Sequence, residues 1–461
     1  ASFTKTLSRQ YALITLYSIS SVLCTNLLLQ QNAYADNNNM LSAASQFNPS
    51  ISLILDGNYV HDNKKGKASN YLDEIAGISH TVHDAHDHEQ SLEQGFNLGE
   101  SELVMSAIVD PYFDGKLTLS IDGQGSTELE EAWLQTRMLP AGLKVKMGKF
   151  LSDIGYLNNQ HSHTWDFADQ NLAYSSLLGE HGLMDTGLQV TWLAPTPFYA
   201  LLGIETLQGN NQERFGALVD EELNHETINE TNMLGSFAEQ KAGPRLNTIF
   251  AKFSPDLGSN HTLQWGLSYA QAKQYQQLLN EDGVVQNGDE LALDGKQRLL
   301  ASDIVYKWDS TGEDGQGDFK VIFEYLKLKK EMNVVASGVG VDTDGDTVLD
   351  TFPLAIGSKV TGKQDGYNLQ ASYGIAPRWQ LSLRHDATGH TNELNQAGSN
   401  ISFKDSSRNS LAISFYASEF SRLRVQASQA NLADETGKVE KVNQVFLQYT
   451  HSLGAHGAHK F

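Results

Sequence analysis

Residues 80–89 read HTVHDAHDHE, setting His80, His83, His86 and His88 among Asp84, Asp87 and Glu89. Imidazole and carboxylate are ligands that zinc accepts, and imidazole also suits copper and nickel. The spacing does not match a closed structural site and no thiolate is at hand. The expected chemistry is therefore weak Zn2+ binding by the loop 61–95, with a solvated acidic loop as the alternative. A second run, DTDGDTVLD at 342–350, places Asp342, Asp344, Asp346 and Asp350 around Gly345. These are the hard oxygen donors that calcium prefers, although the glycine comes one position early for an EF-hand loop. Ca2+ in the loop 330–363 is the expectation there, and an acidic surface turn the alternative. A third stretch, NNQHSHTWDFADQNLAYSSLLGEH, carries His161, His163, Asp166, Asp169, Glu180 and His181. His161 and His163 are further metal candidates; the competing reading has Trp165, Phe167 and Tyr174 packing the segment while its polar residues are wet. The C-terminal His456 and His459 add little.

Catalytic motifs are missing from the sequence. It has no G-x-S-x-G, no H-E-x-x-H and no phosphate-cradling glycine loop. Ser410 and His385 can be imagined as a pair on adjacent strand tops, but nothing in their spacing recommends it. The chain is not expected to be an enzyme.

The elements that would position these residues alternate with period 2 from Ile51 to Leu453. Leu263, Trp265, Leu267 and Tyr269 interleave with Thr262, Gln264, Gly266 and Ser268; Leu423 and Val425 interleave with Arg422, Arg424 and Gln426. Successive side chains of a strand face opposite ways, so each run has one apolar and one polar face. Sixteen such runs can be marked, most of 9 to 14 residues. A tilted strand crosses a bilayer in about 9–11 residues, whereas globular strands are typically about 5–6. The connections largely alternate in length. The long ones are 61–95, 151–184, 207–245, 273–296, 330–363 and 388–407, separated by brief turns such as Pro111-Tyr112 and Ala194-Pro195-Thr196. That parity is the mark of a transmembrane barrel with long extracellular loops and short periplasmic turns. The fold class is thus all-β: a transmembrane antiparallel β-barrel of about 16 strands, large enough to keep an aqueous lumen.

Residues 1–35 fit a secretory signal peptide, with Lys5 and Arg9 before an apolar stretch and Ala33-Tyr34-Ala35 as the cleavage signal. The expected organisation is 1–35 signal peptide, 36–50 N-terminal periplasmic segment, 51–453 barrel and 454–461 tail. The formal net charge of −22 disfavours nucleic acid, whose phosphates need clustered Lys and Arg. With the apolar face turned to lipid, Lys144, Lys146, Arg378, Arg384, Arg422 and Arg424 point inward. Rings of basic side chains select anions, but Asp122, Glu131 and Glu324 also face the lumen, and the inward charges can simply pair across strands.

FNLGESELVMSAIVDPYFDGKLTL (96–119), EEAWLQTRMLPAGLKVKMGKFLSDIGYLNNQHSHTWDF (130–167), GLQVTWLAP (187–195) and NQVFLQYTHSLGAHGAHKF (443–461) resemble a Gram-negative outer-membrane porin-like family related to the phosphate-selective porins, some members of which are zinc-regulated. The resemblance implies homotrimers in outer-membrane lipid and lipopolysaccharide, diffusion of small solutes or ions, and a third extracellular loop that folds into the lumen. His161, His163, Asp166, Asp169 and His181 then become pore-constriction candidates. The leading expectation is a porin, linked through its histidines to zinc or another divalent metal. The alternative is a metal-capturing surface receptor or adhesin anchored by a closed barrel.

Overall fold

The computed structural model describes residues 49–64, 75–77, 94–123, 125–209, 214–218, 240–279, 291–337, 354–434 and 436–454. His80, His83, His86, His88, the run Asp342–Asp350, His456 and His459 lie outside them, as do residues 1–35.

Among the described residues eighteen strands form one antiparallel sheet. The first nine are β1 Ser50–Asp62, β2 Gly95–Leu98, β3 Ser101–Asp110, β4 Phe113–Ile121, β5 Thr127–Thr136, β6 Leu143–Leu151, β7 Met184–Leu193, β8 Tyr199–Leu207 and β9 Leu246–Ser254. They are followed by β10 His261–Leu279, β11 Leu291–Trp308, β12 Phe319–Ser337, β13 Lys359–Ala376, β14 Trp379–Gln396, β15 Ser399–Ser402, β16 Ser406–Ser418, β17 Ser421–Ala433 and β18 Val439–Gly454. β2 and β3 both pair with β1 and are two pieces of one wall strand interrupted at Gly99–Glu100. β15 and β16 both pair with β14 and are likewise one strand. The wall therefore has sixteen positions. β1 closes it, bonding β18 (Asn58 opposite Gln448) on one side and β3 (Leu53 opposite Leu103) on the other. Among the described residues no wall edge is left unpaired, which is what backbone groups require inside a bilayer.

Alternation is realised as expected. Trp265, Leu267 and Tyr269 are exposed on the outside while Gln264, Ser268 and Ala270 are buried on the inside; Leu423 and Val425 stand opposite Arg422, Arg424 and Gln426 in the same way. Near the short turns the outer face carries aromatic pairs, Phe253 with Trp265 at 5.2 Å and Trp379 with Phe415 at 4.8 Å between ring centroids. Such belts sit at membrane interfaces, where an amphipathic ring is half wet. Among the described residues no helix is long and apolar enough to cross a membrane. The molecule crosses it with strands, as a closed barrel of the Gram-negative outer membrane.

Three loop assignments need correction. Residues 388–407, expected as a long connection, are mostly strand: β14 runs to Gln396, turns at Ala397-Gly398 and returns through β15. The connections 273–296 and 330–363 are likewise shortened by β10, β11, β12 and β13, each of 18 or 19 residues. A bilayer needs only about 9–11 residues of strand. The remainder projects beyond it, where neither face has to be apolar and alternation fades.

Candidate functional site

The chain between β6 and β7, residues 152–183, enters the barrel. Its apolar side makes this favourable. Ile154, Tyr174, Leu177, Leu178 and Leu183 are buried against an apolar patch of the inner wall formed by Leu207, Leu246, Ala270, Leu299, Ala301, Leu326 and Leu328. Fully burying a large apolar side chain is worth roughly 1.5–3 kcal/mol, so a few of them hold a segment that would otherwise prefer water. A short helix, α1 (Leu172–Leu177), forms its centre, capped by the Asn171 side chain accepting from the Tyr174 backbone N–H at 3.0 Å. At Gly155, with φ of 61°, a Cβ would lie 2.5 Å from the Tyr174 hydroxyl and 2.8 Å from Glu324 Oε1. Only glycine lets the chain turn there so close to the wall.

Polar anchors tie the segment to the wall. Glu324 Oε1 on β12 accepts from the backbone N–H groups of Tyr156 (2.6 Å) and Leu157 (3.1 Å) and from the Tyr174 hydroxyl (3.0 Å). Asp166 pairs with Lys320 at 2.7 Å and accepts from Gln370 and Gln380. Asp169 bridges Arg384 and Arg408, each at 2.6 Å. The Leu172 N–H donates to Asp386 at 2.7 Å. Arg422 donates to the carbonyls of Trp165 and His163 at 3.0 and 2.9 Å, and Arg424 to that of Trp165.

The arginines thus have a job that sequence reasoning did not assign. Arg384, Arg422 and Arg424 do point inward, and each donates to the segment as well as to wall groups such as Ser410, Thr450 and Gln448. This fits the reading of paired inward charges better than that of an open selectivity ring. Lys146 faces inward against the Trp133 and Phe150 rings, and Lys144 is exposed on the same face. Arg378 is a correction: it occupies a left-handed turn position (φ 68°) outside the strands and pairs at 2.9 Å with Asp314 of the neighbouring turn. Ser410 and His385 lie on opposite faces of the wall, since Ser410 stands across from the inward Arg384 and His385 from the outward Asn409. They cannot act as a pair.

Burial would raise the Asp169 carboxyl, but the Arg384 and Arg408 guanidiniums overcome it and hold it down at about 2. Burial is likewise outweighed at Asp166, where Lys320 holds the carboxyl below the usual range. An unfolded aspartate titrates near about 3.9. A depressed folded-state value contributes stability that is complete above that pH and is lost as the pH falls toward the folded value. The docked segment is therefore expected to survive acidification to about pH 4 and to loosen between there and pH 2. Single-channel conductance followed over that range should be flat, then rise; a flat trace down to pH 2 contradicts it.

The opposite wall holds a different set of groups. β5 carries a bulge against β4: Leu119 faces Leu129, but Thr118 faces Glu131. The extra residue turns both Glu130 and Glu131 inward, the re-aiming that bulges perform. They meet Glu100, at the β2–β3 interruption, and Glu102 on β3. Onto these four acids the segment lays His161, Ser162, His163 and His181. His161 Nε2 lies 2.9 Å from Glu131 Oε2, and its Nδ1 lies 3.1 Å from Glu130 Oε2 and 3.5 Å from Glu102 Oε2. His163 Nδ1 is 2.7 Å from Glu102 Oε1, Ser162 donates to Glu100 Oε2 at 2.9 Å, and Lys116 pairs with Glu131. Burial works against a charged imidazole at His161, yet the surrounding carboxylates raise its pKa well above the ordinary value. Sequence reasoning found the histidines and missed Glu100, Glu102 and Glu130. The visible signal was the acid pair in LEEAW, in the middle of a membrane strand.

No family model matches the chain. Among solved structures it is similar to an OmpT lacking loop L8, an outer-membrane protein of Vibrio cholerae (9% identity, 88% of this chain and 100% of that one, TM-score 0.49). It is similar also to the outer-membrane channel DcaP of Acinetobacter baumannii (13%, 88% and 96%, 0.49) and to an anion-selective porin from Comamonas acidovorans (12%, 88% and 99%, 0.45). Likeness of this degree transfers no activity. An uncharacterized protein of Aquifex aeolicus (strain VF5) is 35% identical over 420 residues, 90% of this chain and 80% of that one. At that identity and coverage, the chain belongs to the same family as the Aquifex protein.

Proposed function

We propose that the protein is an outer-membrane porin passing small hydrophilic solutes or ions by diffusion, with residues 152–183 as the constriction. The observation that carries this reading is the anchored segment inside a sixteen-position wall, since about eight strands already suffice to fill a barrel with side chains and a wider one needs an inserted segment to set its aperture. The related readings are proposals as well: kinship with phosphate-selective porins, a homotrimer in outer-membrane lipid and lipopolysaccharide, weak Zn2+ binding by 61–95 and Ca2+ binding by 330–363. The alternative, a metal-capturing receptor on a closed barrel, draws support from how completely the segment is tied down. Planar-bilayer recording separates the two. A stable ohmic channel is expected; folded protein that never conducts would remove the porin reading and favour the anchor.

A further inference from the structure

We infer that a divalent cation of the zinc class binds inside the lumen, where Glu100, Glu102, Glu130, His161 and His181 converge. This goes beyond the pore reading and does not require the barrel to conduct.

Two groups of donors share Glu130: Glu100, Glu130 and His181, and Glu102, Glu130 and His161, with the ligand atoms of each group within 4.8 Å of one another. Bonds of about 2.0–2.1 Å in a tetrahedron put neighbouring zinc donors roughly 3.3 Å apart. His161 Nδ1 stands 3.1 and 3.5 Å from its two carboxylate oxygens, so the second group is already near that spacing. The oxygens are also left open in a consistent way. In Glu102, Oε1 is held by His163 while the buried Oε2 accepts no hydrogen bond; in Glu100, Oε2 is held by Ser162 while the buried Oε1 accepts none. Glu130 Oε2 is a third buried oxygen without a hydrogen bond. Glu102 is 0% and Glu130 4% exposed. Buried carboxylate oxygens that accept no hydrogen bond are costly, and a cation in the Glu102–Glu130–His161 group would bind two of them directly in place of their ion contact with His161.

The surroundings fit the same assignment. With Nδ1 on the cation, His161 can donate its Nε2–H to Glu131 at 2.9 Å, and Lys116 in turn pairs with Glu131. A carboxylate that fixes the tautomer of a metal-bound imidazole is a recurring arrangement. Glu131, His163 and Ser162 are thus positioning residues. Mixed oxygen and imidazole donors without thiolate favour zinc and its neighbours over calcium. Because the donors come from both the wall and the segment, the cation would also fasten the constriction to β3 and β5.

The test uses the folded barrel with His80, His83, His86 and His88 changed to Ala, so that the loop 61–95 contributes no imidazole ligand. Calorimetric titration with zinc chloride should give one zinc per chain, and X-ray absorption a shell of nitrogen and oxygen at about 2.0–2.1 Å. Glu130→Gln should weaken binding most. Glu131→Gln should cost roughly 10–100-fold, as loss of an orienting partner does. His181→Ala, at a partly exposed position, guards against a Glu130 variant that does not fold, with heat-modifiable gel mobility reporting folding. The absence of stoichiometric zinc, or binding unchanged in both Glu130→Gln and His181→Ala, overturns the site and leaves a protonated His161 among its carboxylates as the explanation of the cluster.

Discussion

Replacing Asp169 with alanine should release the lumen segment and raise single-channel conductance several-fold. Asp169 neutralises two guanidiniums at once, Arg384 and Arg408, and also accepts from Gln426 at 2.7 Å. Both arginine side chains are only 2% exposed. Losing one partner of a buried ion pair costs roughly 3–5 kcal/mol because the other charge is stranded. Here Asp386 remains, 2.8 Å from Arg408 and 3.3 Å from Arg384, and lumen water can relax the rest, so the lower end of that range applies. About 3 kcal/mol is still more than a hundredfold in the ratio of docked to undocked segment. Asp169→Asn retains an acceptor and should have a smaller effect. A folded Asp169→Ala barrel whose conductance matches that of the unaltered protein would show that the segment does not set the aperture.

The parts of the molecule that were legible from sequence are those where one physical demand acts on alternate residues. Along β10 and β17 lipid requires every second side chain to be apolar, and Trp265, Leu267, Leu423 and Val425 announce it. Above the membrane that demand ceases. Asn392 and Asn395 on β14 look like a loop because polar bonds hold them extended, with no lipid-facing alternation to show in the sequence. Those bonds are the backbone pairing with Gln364 and Thr361 of β13 and the Asn392 side chain donating to the Ala76 carbonyl. The acid cluster was hidden for another reason. Consecutive Glu130 and Glu131 should face opposite sides of a regular strand, and only the bulge puts both inside. A one-residue register shift marks the sequence only through the acid pair itself, Glu130-Glu131 within a lipid-crossing strand. The arginines illustrate a third limit: inward direction could be read from parity, but whether a charge meets solute or the carbonyls of Trp165 and His163 depends on a segment about 260 residues away in sequence.

Glu324 should prove as decisive as Asp169, since it grips the same segment on both sides of that residue. Its carboxylate receives three donors, the backbone N–H groups of Tyr156 and Leu157 and the Tyr174 phenol, of which Tyr156 and Tyr174 are buried. Glu324→Ala leaves all of them without an acceptor, and each orphaned donor costs roughly 1–3 kcal/mol. Glu324→Gln keeps a carbonyl oxygen of similar reach and should retain most of the docking. Hydrogen exchange at the Tyr156 and Leu157 amides is the direct reading: strong protection in the native barrel, lost in the alanine variant and largely kept in the glutamine one. The two anchors alternate along one segment, Asp169 lying between Leu157 and Tyr174, which both bind Glu324, and α1 with its apolar underside stiffens it. If it undocks as a unit, Asp169→Ala combined with Glu324→Ala should conduct little better than either alone, because residues acting through one shared structure couple strongly. If the two conductance gains simply add, the segment opens in halves, and the aperture is set locally at each anchor.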